Sequence, residues 1–259
     1  MEQMTTVLLD EAKYMLNKIL HDETYFKNFL NVCSYNSRYS INNVCLIQFN
    51  DKNATKVGSK DYWEKQGYSL NERAKGMNII EPIIENGYTT KDFRVKTFYN
   101  ITDTNCPEAK KEDDKTIVSK LLKIFEDRIV IKQDQTNTKS VYFDNHINKF
   151  TFLTGHSPKN HIKDFIHEAT VLHINNEMNG EISEKDKQFI ANSASYMFGN
   201  RHGIINTDFS FTNMKEYFNG DNGIHKLQNI KNTYHHVCEN INRSYNKGRE
   251  KAKETGKIR

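Results

Sequence analysis

Ile162-Lys163-Asp164-Phe165-Ile166-His167-Glu168-Ala169-Thr170-Val171-Leu172-His173 reads as one helix, and the rest of the chain is best read outward from it. Pro158 suits its opening, because proline fits the first helical position. Three short β-like pieces precede it, at 128–132, 140–143 and 149–153. Asp144-Asn145-His146-Ile147-Asn148 is composed to turn between the last two. Helices grouped around small sheets predict an α+β protein. On this helix His167 and Glu168 supply the first half of the zinc pattern H-E-x-x-H. In that pattern two histidines four residues apart share one face and grip the ion, and the Glu acts as general base. The second histidine position holds Val171, which has no lone pair to give.

No nearby residue makes good the loss. His161 and His173 each lie six residues from His167, about 240° away around a helix, so they point elsewhere. Catalytic zinc needs three protein ligands and an open position for water. His202 and His225 are the remote candidates for a replacement ligand. His235-His236 are adjacent, so they do not share a helical face. The expectation is therefore no metal, no cofactor and a centre in which His167 and Glu168 are vestigial.

The 259 residues allow two domains, each with its own core. A hydrophobic content of 36% and a charged content of 27% fit a globular chain rather than a disordered one. No apolar run approaches the length needed to span a bilayer, and the polar start lacks the pattern of a signal peptide. Cys33, Cys45, Cys106 and Cys238 are scattered without a C-x-x-C pair, which reads as reduced thiols of a cytoplasmic protein. The net charge of +4 is a property of the tail. Between Arg243 and Arg259 there are seven basic and two acidic residues, so the remainder sums to about −1. Such a tail can hold a polyanion or simply solvate a helix end.

Along the chain, helical patterns cover 5–20, 25–32 and a stretch capped by Ser40 through Ile47. The stripe Val7, Leu8, Tyr14, Met15 and Ile19 reads as core. A short helix with Trp63 starts at the capping Ser59 and stops at Gly67. Two β-like runs, 77–84 and 93–101, flank Glu85-Asn86-Gly87, an N-G hairpin signal. The polar segment 104–115 is the linker, followed by a helix over 116–125. Ser183 caps a helix over 184–198, punctuated by Gly199 and Gly203. One long helix runs from 222 into the basic tail. The phosphate-binding and nucleophile motifs G-x-x-x-x-G-K, G-x-G-x-x-G and G-x-S-x-G are absent.

Residues 36–79 mix aromatic rings (Tyr39, Trp63, Tyr68), amides (Asn42, Asn43, Gln48) and cations (Arg38, Lys56, Lys60, Lys65, Arg73, Lys75). Bases of a single strand stack on aromatics, phosphates pair with Lys and Arg, and amides bond base edges. Seven basic and four acidic residues in this block leave it mildly positive. The same composition also suits an ordinary helical domain with a charged surface.

The order of these residues resembles the N-terminal single-stranded-DNA-binding domain of ArdC-type antirestriction proteins and LtrC-like proteins of conjugative elements. The matching phrases are Tyr39-Ser40-Ile41-Asn42-Asn43-Val44-Cys45-Leu46-Ile47-Gln48, Ala54-Thr55, Trp63-Glu64-Lys65-Gln66-Gly67 and Arg73-Ala74-Lys75-Gly76-Met77. Arg73 stands where the family has glycine. In LtrC-like proteins a zincin-like metallopeptidase domain often follows. Its core helix aligns with His167–Asn175, and a later acidic helix with Gln188–Tyr196. The acidic positions of that later helix are Gln188, Ile190 and Asn192 here.

The resemblance implies a helical single-stranded-DNA-binding domain with a small β-hairpin over 5–104. It then implies a zincin-like α+β domain with a degenerate metal site over 113–240, and a basic C-terminal tail over 241–259. Its implied nucleic-acid-binding residues are Arg38, Tyr39, Asn42, Asn43, Gln48, Trp63, Lys65, Arg73 and Lys75. The implied function is single-stranded DNA binding for a mobile element or phage, in antirestriction or DNA transfer, with an inactive peptidase-like domain. Two alternatives stay open: a zinc metallopeptidase with a non-standard ligand set, and a decoy that docks on a host protein.

Overall fold

The computed structural model describes residues 2–254 apart from 86–87, 108–111, 135–136, 178–181, 205–208 and 221. The protein has an α+β fold, with helices around two separate three-stranded sheets. It divides into two compact units. Unit 1 comprises residues 1–110 with 211–228, and unit 2 comprises 111–210 with 229–259. No helix among the described residues is long and apolar enough to cross a membrane.

Unit 1 opens with three helices, α1 (Glu2–His21), α2 (Glu23–Asn36) and α3 (Ile41–Asn50). Each junction is set by a side chain that takes up orphan backbone N–H groups at a helix start. The Asp22 carboxylate accepts from Thr24 and Tyr25, and the Ser40 hydroxyl accepts from Asn43. Helical periodicity then sends Leu8, Ala12, Met15 and Ile19 to one face of α1, where all four are buried. Val7 and Tyr14 lie one residue off that face and are 52% and 54% exposed, so the expectation that they belong to the core is corrected. Phe26, Phe29 and Leu30 of α2 and Val44 to Ile47 of α3 complete the helical core.

The first sheet combines β1 (Val57–Ser59), β2 (Met77–Glu85) and β3 (Tyr88–Asn100) in the antiparallel order β1-β3-β2. The β2–β3 ladder carries a bulge between Pro82 and Ile84. Proline, lacking a donor, is tolerated at such a break. The Asn86-Gly87 turn lies outside the described residues. The short helix α4 (Lys60–Lys65) follows β1, and the Ser59 hydroxyl accepts the Tyr62 N–H at its start. Segment 211–228 includes the short helix α8 (Met214–Tyr217) and the start of α9 (Gly223–Glu254). The Phe211 and Phe218 rings meet Phe26 edge-on at 5.1 and 5.4 Å, and the Glu23 carboxylate accepts the Phe211 N–H.

Unit 2 holds α5 (Asp114–Ile124), β4 (Ile129–Gln133), β5 (Val141–Asp144), β6 (Lys149–Thr154), α6 (Pro158–Glu177) and α7 (Glu184–His202). Its sheet order is β4-β6-β5, with β4 parallel and β5 antiparallel to the central strand. Phe150 and Phe152 project from β6 onto Phe165 of α6, with ring centroids 4.8 and 5.7 Å away. Such aromatic packing fastens the His167-bearing helix to the sheet. The α7 helix runs past Gly199 and ends at Gly203, whose φ of 75° is the left-handed turn that glycine adopts without strain.

Candidate functional site

In unit 1 the structure separates the sequence-derived residues into two groups. Arg38, Lys65, Arg73 and Lys75 are solvent-exposed. Arg38 lies in the turn after α2, Lys65 in the last turn of α4, and Arg73 and Lys75 in the segment that leads into β2. Asn42 is partly exposed on α3. The others are committed inside the fold. Trp63 is 1% exposed, and its indole N–H donates to the Tyr99 carbonyl at 3.1 Å. Asn43 clips α3 to β2: its amide donates to the Ile80 carbonyl at 2.7 Å and accepts the Ile80 N–H at 3.0 Å. Gln48 is 3% exposed and donates to the Tyr25 carbonyl at 3.0 Å.

Trp63, Asn43 and Gln48, expected to contact nucleic acid, are thus buried and hydrogen-bonded to backbone groups of the fold. Flat rings and amides that suit nucleobases equally suit buried backbone groups, and here the backbone takes them. Tyr39 is intermediate. Its hydroxyl donates to the Val57 carbonyl at 3.0 Å, its ring meets Phe98 edge-on at 5.7 Å, and burial pushes its phenol up to about 12.

The outer face of the first sheet carries residues that sequence reasoning left out of the site. Strand alternation buries Val57, Met77, Ile79 and Phe98 on one face; the other face carries the partly exposed Asn78 and Tyr99 and the exposed Thr97, together with the buried Gly58 and Ile80. Gly58 pairs with Tyr99. On the far side Met77 pairs with Phe98, which sets Gly76 across from Tyr99. Gly58, Tyr99 and Gly76 thus form one cross-strand row. A Cβ at Gly58 would overlap the Tyr62 ring. A Cβ at Gly76 would overlap the Thr97 methyl and lie 3.3 Å from the Tyr99 ring. Both tyrosines rest on floors of bare backbone and stay partly exposed. The Lys56 ammonium stands 5.2 Å from the Tyr62 ring centroid and 5.6 Å from that of Trp63. Strand register brings residues 58, 76 and 99 together, and no local pattern announces it.

In unit 2 the His167 and Glu168 side chains are 12% and 13% exposed. Glu168 accepts from the Lys139 ammonium at 2.8 Å and the Phe143 N–H at 3.2 Å, with His167 Nδ1 at 3.5 Å. Burial alone would raise its carboxyl. The hydrogen bonds from His167, Lys139 and Phe143 outweigh burial and hold it at about 2. One turn earlier, Asp164 accepts both the N–H and the hydroxyl of Ser140 at 2.7 Å. Asp164 and Glu168 of α6 thus cap backbone donors of β5, an edge strand of this sheet, and of the residue before it.

The neighbouring positions offer no ligand set. Val171 is partly exposed, Ile190 is 1% exposed, and Gln188 donates to Glu184 at 2.9 Å. His161 Nε2 lies 2.8 Å from the Leu153 carbonyl, and the His173 ring sits 5.7 Å from that of His236. His202 stacks on Phe198 at 4.2 Å, and burial together with Arg201 pushes it down to about 4. Among the described residues no three His, Cys, Asp or Glu side chains converge to hold a metal. The donors around His167 do not fit a catalytic zinc ion, which needs three protein ligands. Burial raises the Cys45 and Cys238 thiols to about 12 and about 11, so neither is poised as a thiolate nucleophile.

No protein-family model and no curated relative matches the chain. Among solved structures it is similar to the antirestriction ArdC protein of plasmid R388. The metal-free form has a TM-score of 0.47 at 13% identity, covering 79% of this chain and 86% of that one. The Mn(II)-bound form has a TM-score of 0.48 at 13% identity, covering 93% and 97%. Likeness at that level decides nothing about chemistry, which rests on the side chains themselves.

Proposed function

We propose that the chain binds single-stranded DNA through unit 1 and serves antirestriction or DNA transfer for a mobile element or phage. In this reading the α6–α7 part of unit 2 is peptidase-like in form and performs no zinc hydrolysis. The observation that carries the DNA-binding reading is the state of the cations. Arg38, Lys65, Arg73 and Lys75 are exposed and make no ion pair among the described residues, whereas Lys27, Lys60, Arg94 and Lys96 are each paired with a glutamate. Uncommitted cations are what phosphate contacts require, and each such contact releases a condensed counterion. The order of motifs shared with ArdC-type proteins supplies the biological setting. For unit 2, Val171 in the second-histidine position and a Glu168 carboxylate tied to three donors support an inert centre.

The test is a fluorescence-anisotropy titration of the full chain with a labelled oligo(dT) strand at several salt concentrations. Affinity is expected to fall steeply with salt. The double variant Arg38→Ala/Lys75→Ala should bind more weakly and flatten the log–log salt slope by about 1.4, the value for two lost single-strand phosphate contacts. Absence of binding at low salt removes the DNA-binding reading. Elemental analysis of untagged protein that finds close to one zinc per chain removes the reading of unit 2.

A further inference from the structure

We infer that unpaired bases stack on Tyr99 and Tyr62, on the outer face of the β1-β3-β2 sheet; this rests on the reading of unit 1 as a single-strand binder and assigns its base contacts. The aromatic residues of the shared motif do not supply a platform. Trp63 is 1% exposed, and Tyr39 is bound by its hydroxyl to β1 and by its ring edge to Phe98.

Tyr39 is partly exposed as well, so what sets Tyr99 and Tyr62 apart is their placement on the sheet. Both are partly exposed, and they lie over one row of the sheet. The two glycines of that row remove the side chains that would otherwise crowd the rings, and a Cβ at either position would force its neighbour to move. The indole of Trp63 anchors α4 by donating to the Tyr99 carbonyl itself, so the helix that carries Tyr62 is fixed to the strand that carries Tyr99. Its own ring supports Tyr62 edge-on at 4.9 Å.

Charge agrees with the assignment. Lys56 precedes β1 and Lys75 precedes Gly76, so cations stand at the ends of strands on both sides of Tyr99. Residues 56–76 contain five basic and three acidic side chains, and Lys60 already satisfies Glu64. Partly exposed rings with cations nearby suit a strand whose bases are unpaired, because a duplex keeps its base faces stacked on one another. Other rings of unit 1 also meet solvent: Tyr88 and Phe93 on β3, and the edge-on pair Tyr14 and Phe49, which has Asp10 and Glu11 nearby and the Lys18 ammonium 5.6 Å from the Tyr14 ring centroid.

The experiment uses the full chain and the same oligo(dT) titration. Tyr99→Leu and Tyr62→Leu should each weaken binding roughly 5- to 100-fold, the range for loss of one base-stacking ring, with the salt slope unchanged. Tyr14→Leu should bind like the parent. If the parent binds and both tyrosine variants match it within about twofold, the assignment to this sheet is overturned while the DNA-binding reading stands. If the parent does not bind, both fall. Ultraviolet cross-linking of the unaltered chain to a bromodeoxyuridine strand is independent of how the variants fold. Adducts at Tyr62 or Tyr99 are expected, and adducts confined to Tyr14, Phe49 or other sites overturn the inference.

Discussion

Glu168 has burial working against its charge and three donors working for it, and the donors win. A carboxyl held at about 2 is a poor general base near neutral pH, since it takes up a proton with little driving force. Its work is structural: it joins α6 to Lys139 and to the backbone of β5. Because the folded-state value lies below the ordinary 4.5, this contribution is fully present above pH 4.5 and is lost as pH falls through 4.5 toward 2. A shift of that size corresponds to a stabilisation on the order of 3 kcal/mol. Glu168→Gln should therefore lower stability at pH 7 by about 1–3 kcal/mol, an amide being the weaker acceptor, and should narrow the gap to the parent at pH 2–3. Urea denaturation at the two pH values measures it. Equal stability at pH 7 would show that the carboxylate does not carry this joint.

Among elements, the seat of α4 on β1 and β3 shows how packing allots roles that composition leaves open. The hydroxyl of Ser59 starts α4, the indole of Trp63 ties it to the Tyr99 carbonyl, and the Tyr62 ring lies flush on Gly58. Ring and strand approach so closely that no Cβ fits between them. Gly58→Ala should displace α4 and destabilise the protein by about 1–3 kcal/mol, as overpacking does. Trp63 is the sole tryptophan, so its emission reports the displacement directly. Unchanged emission and stability would contradict this packing. Ser40, Ser59, Pro158, Ser183 and Gly203 were all legible as helix punctuation, because capping needs only a residue and its neighbours a few positions on. β1 was not legible. It is three residues long and exists only because Val57, Gly58 and Ser59 pair with Asn100, Tyr99 and Phe98.

At the scale of the whole molecule, acidification should act in two stages. Burial first, and Arg201 after it, hold His202 at about 4, below the ordinary 6.5. The folded state favours its neutral form, so stability is full above pH 6.5 and declines as pH falls from 6.5 to about 4. The Glu168 contribution then falls away between 4.5 and 2. Stability should thus be highest above pH 6.5, and His202→Gln should flatten the decline between pH 6.5 and 4. Circular-dichroism-monitored urea melts at pH 7 and 4.5 compare the two proteins. A parent equally stable at both pH values would refute the first stage.

The α+β class, the order of most elements and the interruption of the zinc pattern at Val171 were settled by the sequence alone. Each depends on residues close along the chain: periodicity, capping and the four-residue spacing of two ligands on one helix face. Which aromatic and amide side chains meet solvent was decided only by tertiary structure. Trp63, Asn43 and Gln48 turn inward to backbone groups 36, 37 and 23 residues away. Tyr14 turns outward although its neighbour Met15 is core. Tyr99 gains its place between two glycines from strand register. Composition reports what a side chain can bond to, whereas long-range pairing determines whether a buried backbone group claims it first.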